Sequence, residues 1–187
     1  SVLEDVRRDV ERLRREIEEL SKRSHERSRR IIERLEELLK RSHDLSKRLR
    51  ERLEELLKRV RREELVRRVV EEARRLLKEL EKTDRDVVEE ARRLVTELED
   101  TDRRTIEESR RALKELEEEA RKIRKDVPDE EVRRILKKLR DDVKKDEDDN
   151  RRNTEEVRKL AKDIERKLKK NTDDVRKDIK AIEDRLR

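Results

Sequence analysis

Two consecutive eighteen-residue blocks decide the fold: residues 21–38 read SKRSHERSRRIIERLEEL, and residues 39–56 read LKRSHDLSKRLRERLEEL. Most positions are identical or conservatively replaced between the two blocks. An α-helix has 3.6 residues per turn, so eighteen residues complete five turns and return each side chain to the same angle. The stretch therefore predicts a long, nearly untwisted helix built from a repeat.

The composition favours long helices over other kinds of structure. Asp, Glu, Lys and Arg make up 61% of the 187 residues, and Gly, Cys, Met, Phe, Tyr and Trp are absent. A chain so charged is disordered when its apolar residues are scattered. Here they make up 29% and recur in steps of three and four, the spacing with which a helix presents a seam to its neighbours. We therefore predict an all-α protein.

Two further segments repeat with the same period. Residues 65–82, 83–100 and 101–118 read LVRRVVEEARRLLKELEK, TDRDVVEEARRLVTELED and TDRRTIEESRRALKELEE. Residues 153–170 and 171–187 read NTEEVRKLAKDIERKLKK and NTDDVRKDIKAIEDRLR. Both patterns predict amphipathic helices. The apolar arc is wide in the segment that contains residues 21–56 and in the segment of residues 65–118. It is narrowest in the segment that contains residues 153–187, which favours the last of the three helices as the outermost one.

Two boundaries separate the three segments. Residues 126–129 read DVPD, in which proline disfavours helix at the residue before it and Asp129 can cap the next helix. Near residues 61–64 a basic stretch is followed by Glu63 and Glu64, and a continuous helix would turn its apolar face by roughly 170° here. A reversal removes that conflict; one unbroken helix of over a hundred residues is the alternative. We predict a single elongated domain, 1–187, of three antiparallel helices in up-down-up order: 2–61, 64–125 and 129–186.

Polar residues occupy positions where the apolar seam should continue. Two Ser-His-x-x-Ser units lie one repeat apart, and we predict that they form buried hydrogen bonds with polar residues of the other segments. A buried donor without a partner costs roughly 1–3 kcal/mol, so such layers penalise a wrong register. The predicted network comprises Ser24, His25, Ser28, Ser42, His43, Ser46, Thr83, Thr101, Ser109, Asn150, Asn153 and Asn171.

Other interpretations of these residues remain open. The two histidines could be solvated at the edge of the stripe, the threonines could be ordinary helix residues, and Asn171 could lie near the surface. If His25 and His43 are buried, their protonation near pH 5 to 6 would loosen the assembly. A catalytic Ser-His pair lacks a third group and an oxyanion hole. The two histidines of one chain cannot share a metal ion because they are about 27 Å apart along the helix, and only symmetry copies of the chain could bring equivalent histidines together.

With these repeats, charged surfaces and polar layers, the chain resembles computationally designed helical bundles. The resemblance implies an engineered scaffold whose function is folding and defined association. The wide arcs of the first two segments predict that the chain associates with itself into a homo-oligomer. A monomeric three-helix rod, or a three-helix groove that binds a separate designed partner helix, are the alternatives.

Other classes of function find no support in the sequence. The isoelectric point is about 9.5, but acidic residues alternate with the basic ones and no aromatic residue is available to stack on bases, which disfavours nucleic-acid binding. Membrane binding is disfavoured by the mixed polar faces and the absence of Trp and Phe. We expect no enzyme activity, no cofactor, no metal and no small-molecule substrate. We expect a soluble synthetic protein, cytoplasmic on recombinant expression.

Overall fold

The computed structural model describes residues 2–59, 62–123 and 129–185. They form three long α-helices packed against each other, and the described part of the chain contains no β-strand. None of the three helices contains a stretch apolar enough to cross a membrane. The helices are α1 (Val2–Arg59), α2 (Glu63–Ile123) and α3 (Asp129–Arg185), against the expected ranges 2–61, 64–125 and 129–186.

The chain reverses between α1 and α2, where the sequence predicted a turn. The last turn of α1 is basic and the first turn of α2 is acidic, so both helix dipoles are favourably matched. The amides of Leu65 and Val66 each donate a hydrogen bond of 3.1 Å to the carbonyl of Arg62. The single unbroken helix is therefore wrong. Residues 60–61 and 124–128 lie outside the described residues, and most of the predicted boundary at residues 126–129 falls there.

Each helix contributes to two compact units. Unit 1 comprises Ser1–Arg30 and Val95–Val157, and unit 2 comprises Ile31–Leu94 and Arg158–Arg187. In unit 1, Arg14 of α1 pairs with Asp142 of α3 at 3.3 Å, and in unit 2 Arg34 of α1 pairs with Glu90 of α2 at 2.8 Å. The single domain over residues 1–187 stays a prediction.

The pairs within unit 1 define the helix directions. Positions later in α1 meet positions later in α3, because Arg7 pairs with Glu131 and Arg14 with Asp142. Positions later in α3 meet positions earlier in α2. Arg140 of α3 donates a hydrogen bond to Glu117 of α2, and Glu147, later in α3, accepts one from Arg110, earlier in α2. The predicted up-down-up order of three antiparallel helices is confirmed.

Each unit has an apolar core to which all three helices contribute. Because the apolar residues recur at helical spacing, each helix turns its apolar stripe inward. The core of unit 1 contains Val6, Val10, Leu13 and Ile17 of α1, Leu113, Leu116 and Ala120 of α2, and Val132, Leu136, Leu139 and Val143 of α3. The core of unit 2 contains Leu49 and Leu53 of α1, Val69, Val70, Ala73, Leu77 and Leu80 of α2, and Val175 and Ile179 of α3.

Candidate functional site: buried polar layers

In unit 2, one carboxylate joins all three helices. Asp84 of α2 is 9% exposed. Its Oδ1 accepts a hydrogen bond of 2.5 Å from Ser42 Oγ of α1, and its Oδ2 accepts one of 2.5 Å from Thr172 Oγ1 of α3. Each oxygen of the carboxylate therefore has a hydroxyl donor from a different helix. We call these three residues the Asp84 layer.

Unit 1 contains the same arrangement. Asp102 of α2 is 5% exposed, and its Oδ1 accepts a hydrogen bond of 2.7 Å from Ser24 Oγ of α1. Its Oδ2 accepts a hydrogen bond from Thr154 Oγ1 of α3. We call these three residues the Asp102 layer. Each member lies eighteen positions from its counterpart in the Asp84 layer, so the two layers occupy the same angular positions on their helices.

The two layers replace what would otherwise be apolar core. The positions that lie eighteen residues beyond the Asp102 layer, on the side away from the Asp84 layer, are Val6, Ala120 and Leu136 of unit 1. All three belong to the apolar core of that unit. Burial of a carboxylate is costly unless hydrogen bonds compensate the loss of water. Hydrogen bonds to a charged group contribute about 1.5–3 kcal/mol each. Both hydroxyls therefore offset part of the cost of burying each aspartate.

A second set of polar contacts differs between the units. In unit 2, Asn171 Nδ2 donates to Ser46 Oγ at 2.5 Å, and Ser46 Oγ donates to the carbonyl of His43 at 2.9 Å. In unit 1, the repeat equivalent of Asn171 is Asn153, whose Nδ2 lies 2.7 Å from Nδ1 of His25 instead. The hydroxyl of Ser28 is consequently buried without a hydrogen-bond partner among the described residues.

The residues predicted to form a polar network lie at three depths. The two histidines, predicted to be buried, are exposed in the single chain. The half-buried Thr83 and Thr101 donate to carbonyls of their own helix, at Glu79 and Glu97, as ordinary helix residues do. Asn153 and Asn171 are also half-buried. The buried members are Ser24, Ser28, Ser42, Ser46, Ser109 and Asn150.

Sequence reasoning missed the residues that complete the two layers. Asp84 and Asp102 directly follow Thr83 and Thr101 in the dipeptide TD, and Thr154 and Thr172 follow an asparagine in the dipeptide NT. One residue along a helix is a rotation of about 100°. The recurrence of both dipeptides every eighteen residues was the available signal, and the structure shows that the second residue of each pair faces the core.

A further polar cluster lies in unit 1, beside the Asp102 layer along α3. Glu147 of α3 is buried, and its carboxylate accepts hydrogen bonds of 2.8 and 3.0 Å from the guanidinium of Arg110 on α2. The hydrogen bond to Glu147 is the main cause that raises the pKa of Arg110. This paired geometry is the one in which an Arg–carboxylate contact is strongest.

Two neighbours of Glu147 are less well satisfied. Asn150 is buried, and its Oδ1 has no hydrogen-bond partner among the described residues. Asp146 lines the same small cavity as Asn150. Loss of water around Asp146 raises the pKa of its carboxyl, and nearby carboxylates raise it further while Lys145 lowers it. Those carboxylates belong to Asp149, Asp142 and Glu18.

The side chains of the two layers act as hydrogen-bond donors and acceptors. In the part of the chain that the structure describes, no three side chains of His, Cys, Asp or Glu are grouped so that they could hold a metal ion. Each buried aspartate is held by two hydroxyls from neighbouring helices. The layers are therefore suited to fixing the relative position of the helices.

The comparisons with known proteins agree with this architecture. No protein-family model matches the chain, and no curated protein sequence matches it. A solved structure described as a "Computationally designed three helix bundle" is similar, with a TM-score of 0.59, 98% of this chain and 90% of that chain covered, and 16% sequence identity. A likeness at this identity shows the fold alone. The resemblance expected from the sequence is confirmed at that level: the chain has the fold of a three-helix bundle, similar to a computationally designed one.

Proposed function

We propose that this chain is a de novo designed structural scaffold in which the Asp84 and Asp102 layers specify the register of the three helices. The proposal rests on one observation: each buried aspartate accepts one hydrogen bond from a hydroxyl of each of the other two helices. An apolar seam tolerates sliding, because one leucine contact resembles the next. A carboxylate that must meet two hydroxyls does not.

The cost of a wrong register follows from the number of groups involved. A slip of one helix by one turn separates each aspartate from at least one of its two hydroxyls, at roughly 1–3 kcal/mol for each polar group left unpaired. A slip by a whole repeat of eighteen residues would bring only one serine, one aspartate and one threonine together again. A repeat-length slip therefore still leaves buried polar groups of the other layer without partners and is penalised as well.

The chain itself supplies the sequence for an apolar control. Two triple substitutions copy Val6, Ala120 and Leu136 into the two layers: Ser24→Val, Asp102→Ala and Thr154→Leu, and Ser42→Val, Asp84→Ala and Thr172→Leu. We expect the variant with all six substitutions to be as stable as the original chain or more stable, but to populate more than one helix register. The measurement is the number of backbone amide resonances per residue. A single set, with unchanged inter-helix distances between spin labels, would contradict the proposal.

A second part of the proposal is that the scaffold associates with itself. It is supported by two large apolar side chains that remain open to water, Leu45 at 40% and Leu65 at 41% exposure. The half-buried Ile32, Leu39 and Leu57 further widen the apolar arc of α1. Light scattering on the purified chain measures the mass directly. A mass of one chain at every concentration would favour the monomeric rod, and a change of mass only with an added helix would favour the partner groove.

A further inference from the structure

An open apolar groove lies between α1 and α2 in unit 2. It has a volume of about 400 Å³ and is lined by Leu45 and Leu49 of α1 and by Leu76 and Leu80 of α2. Leu49 and Leu80 are buried at its base, whereas Leu45 is 40% exposed. Thr83 of α2 also lines it. Apolar surface of this kind gains free energy when a partner covers it.

The two edges of the groove carry opposite charges. Arg48 and Arg52 line it on α1, and Glu72 and Glu79 line it on α2. Among the described residues none of these four side chains takes part in an ion pair, although ion pairs join α3 to both helices nearby, as between Arg50 and Asp178. The groove therefore offers one basic and one acidic edge, each free to meet a partner of the opposite sign.

We propose that a second copy of this chain docks on this groove, related to the first by a twofold axis parallel to the helices. Such an axis places α1 of each copy against α2 of the other, so that the basic edge of one copy faces the acidic edge of its partner on both sides. A twofold axis perpendicular to the helices would instead place α1 against α1, with arginine against arginine. The proposal rests on the self-association proposed above and adds the surface and the symmetry.

Two features of the sequence support this surface. Leu65, which is also exposed, lies eighteen positions before Thr83 on α2 and so faces the same direction as that lining residue. The corresponding groove of unit 1 has different edges. It is lined by Arg12 and by the acidic residues Asp9 and Glu16 of α1 and Glu115 and Glu119 of α2. Its acidic excess on both helices disfavours the same pairing, so the charge complementarity belongs to the groove of unit 2.

The first experiment removes the apolar contact. Leu45→Asp introduces the residue that the chain already carries thirty-six positions earlier, at Asp9. The matched control is Ala181→Asp, which adds the same charge to an exposed residue of α3. Light-scattering mass is measured over about two decades of concentration, because dimerisation follows mass action. We expect the original chain and the control to rise from one to two chain masses, and Leu45→Asp to stay at one. Circular dichroism verifies that all three remain helical.

The second experiment exchanges the charged edges. The double variants Arg48→Glu with Arg52→Glu and Glu72→Arg with Glu79→Arg should each be monomeric, since like charges then face each other. Mixed together, they should form a heterodimer. The variant with all four substitutions should form a homodimer again, because its edges are exchanged but still complementary.

The outcomes distinguish the surface from the association itself. A dimer that persists in Leu45→Asp would overturn the proposed surface while leaving self-association in place. A monomeric original chain would overturn both. If the variant with all four charge substitutions stays monomeric while the original chain dimerises, the twofold axis parallel to the helices is wrong.

Discussion

Ser42 of α1 donates a hydrogen bond of 2.5 Å to Asp84 of α2, and both side chains are buried. A serine and an aspartate in an otherwise apolar seam are unfavourable until they meet. Thr172 donates to the other oxygen of the same carboxylate, so the burial of Asp84 is compensated by hydroxyls from both neighbouring helices.

Removal of this carboxylate should destabilise the bundle. Asp84→Ala leaves the hydroxyls of Ser42 and Thr172 buried without their acceptor, and we expect a loss of about 2–4 kcal/mol in the free energy of unfolding. Urea denaturation followed by circular dichroism measures it. The matched control adds Ser42→Val and Thr172→Leu, which removes both donors together and should restore most of the stability. A single variant as stable as the original chain would contradict this account.

Ser28 and Ser46 are repeat equivalents with opposite surroundings, and their truncation should have opposite effects. Ser28→Ala removes a buried hydroxyl that has no partner among the described residues, so the stability should be unchanged or rise by up to about 1 kcal/mol. Ser46→Ala removes the acceptor of Asn171 and should cost about 1 kcal/mol. Each variant serves as the control of the other in thermal unfolding. Equal effects would show that the two hydroxyls have the same environment.

Asn150 occupies a position where the next repeat carries Leu168, a buried residue. The Oδ1 of Asn150 is buried without a partner in the described structure, so Asn150→Leu should raise the free energy of unfolding by about 1–3 kcal/mol. Denaturant titration is the measurement. Asn150→Asp, which keeps the shape but adds a charge to a buried site, should have the opposite effect. A destabilised leucine variant would mean that the amide has a structural partner.

Asp146 should make the stability depend on pH in the acidic range. Its folded-state pKa is raised by loss of water and by neighbouring carboxylates. Its favourable contribution is therefore fully present below the ordinary value of 3.8 and is lost as the pH rises through the raised pKa. Asp146→Asn should be more stable than the original chain at pH 7, and the difference should disappear below pH 3.8. Melting curves from pH 3 to 7 measure it; parallel curves would contradict the assignment.

The pair of Arg110 and Glu147 should matter more than an exposed pair. Glu147 is buried and accepts two hydrogen bonds from one guanidinium, whereas Arg103 and Asp100 form an exposed pair at 3.5 Å within one helix. Exposed pairs contribute little. We expect Arg110→Ala to lower the melting temperature and Arg103→Ala to leave it almost unchanged. Comparison at low and high salt tests the electrostatic origin. Equal shifts in both variants would contradict the difference.

Much of the fold could be predicted from sequence, because helical periodicity is a local property. The steps of three and four define the apolar stripes, and the reversal of the stripe near residues 61–64 locates the first turn. The polar site was predicted less completely. The repeat pattern predicted Thr83 and Thr101 as members of the polar network, whereas Asp84 and Asp102 form the layers. Because the apolar arc is wide, the sequence does not specify which of two adjacent residues faces the core, and adjacent residues are separated by roughly 100° around a helix.

The sequence alone specifies three long helices, the eighteen-residue period and the presence of polar residues in apolar seams, since each depends only on residues near one another in the chain. The tertiary structure was needed to show that Asp84 meets both Ser42 and Thr172, and that Ser28 has no such partner among the described residues. These contacts join residues far apart in sequence. They depend on the axial offset and rotation of one helix against another, which packing of all three helices sets together.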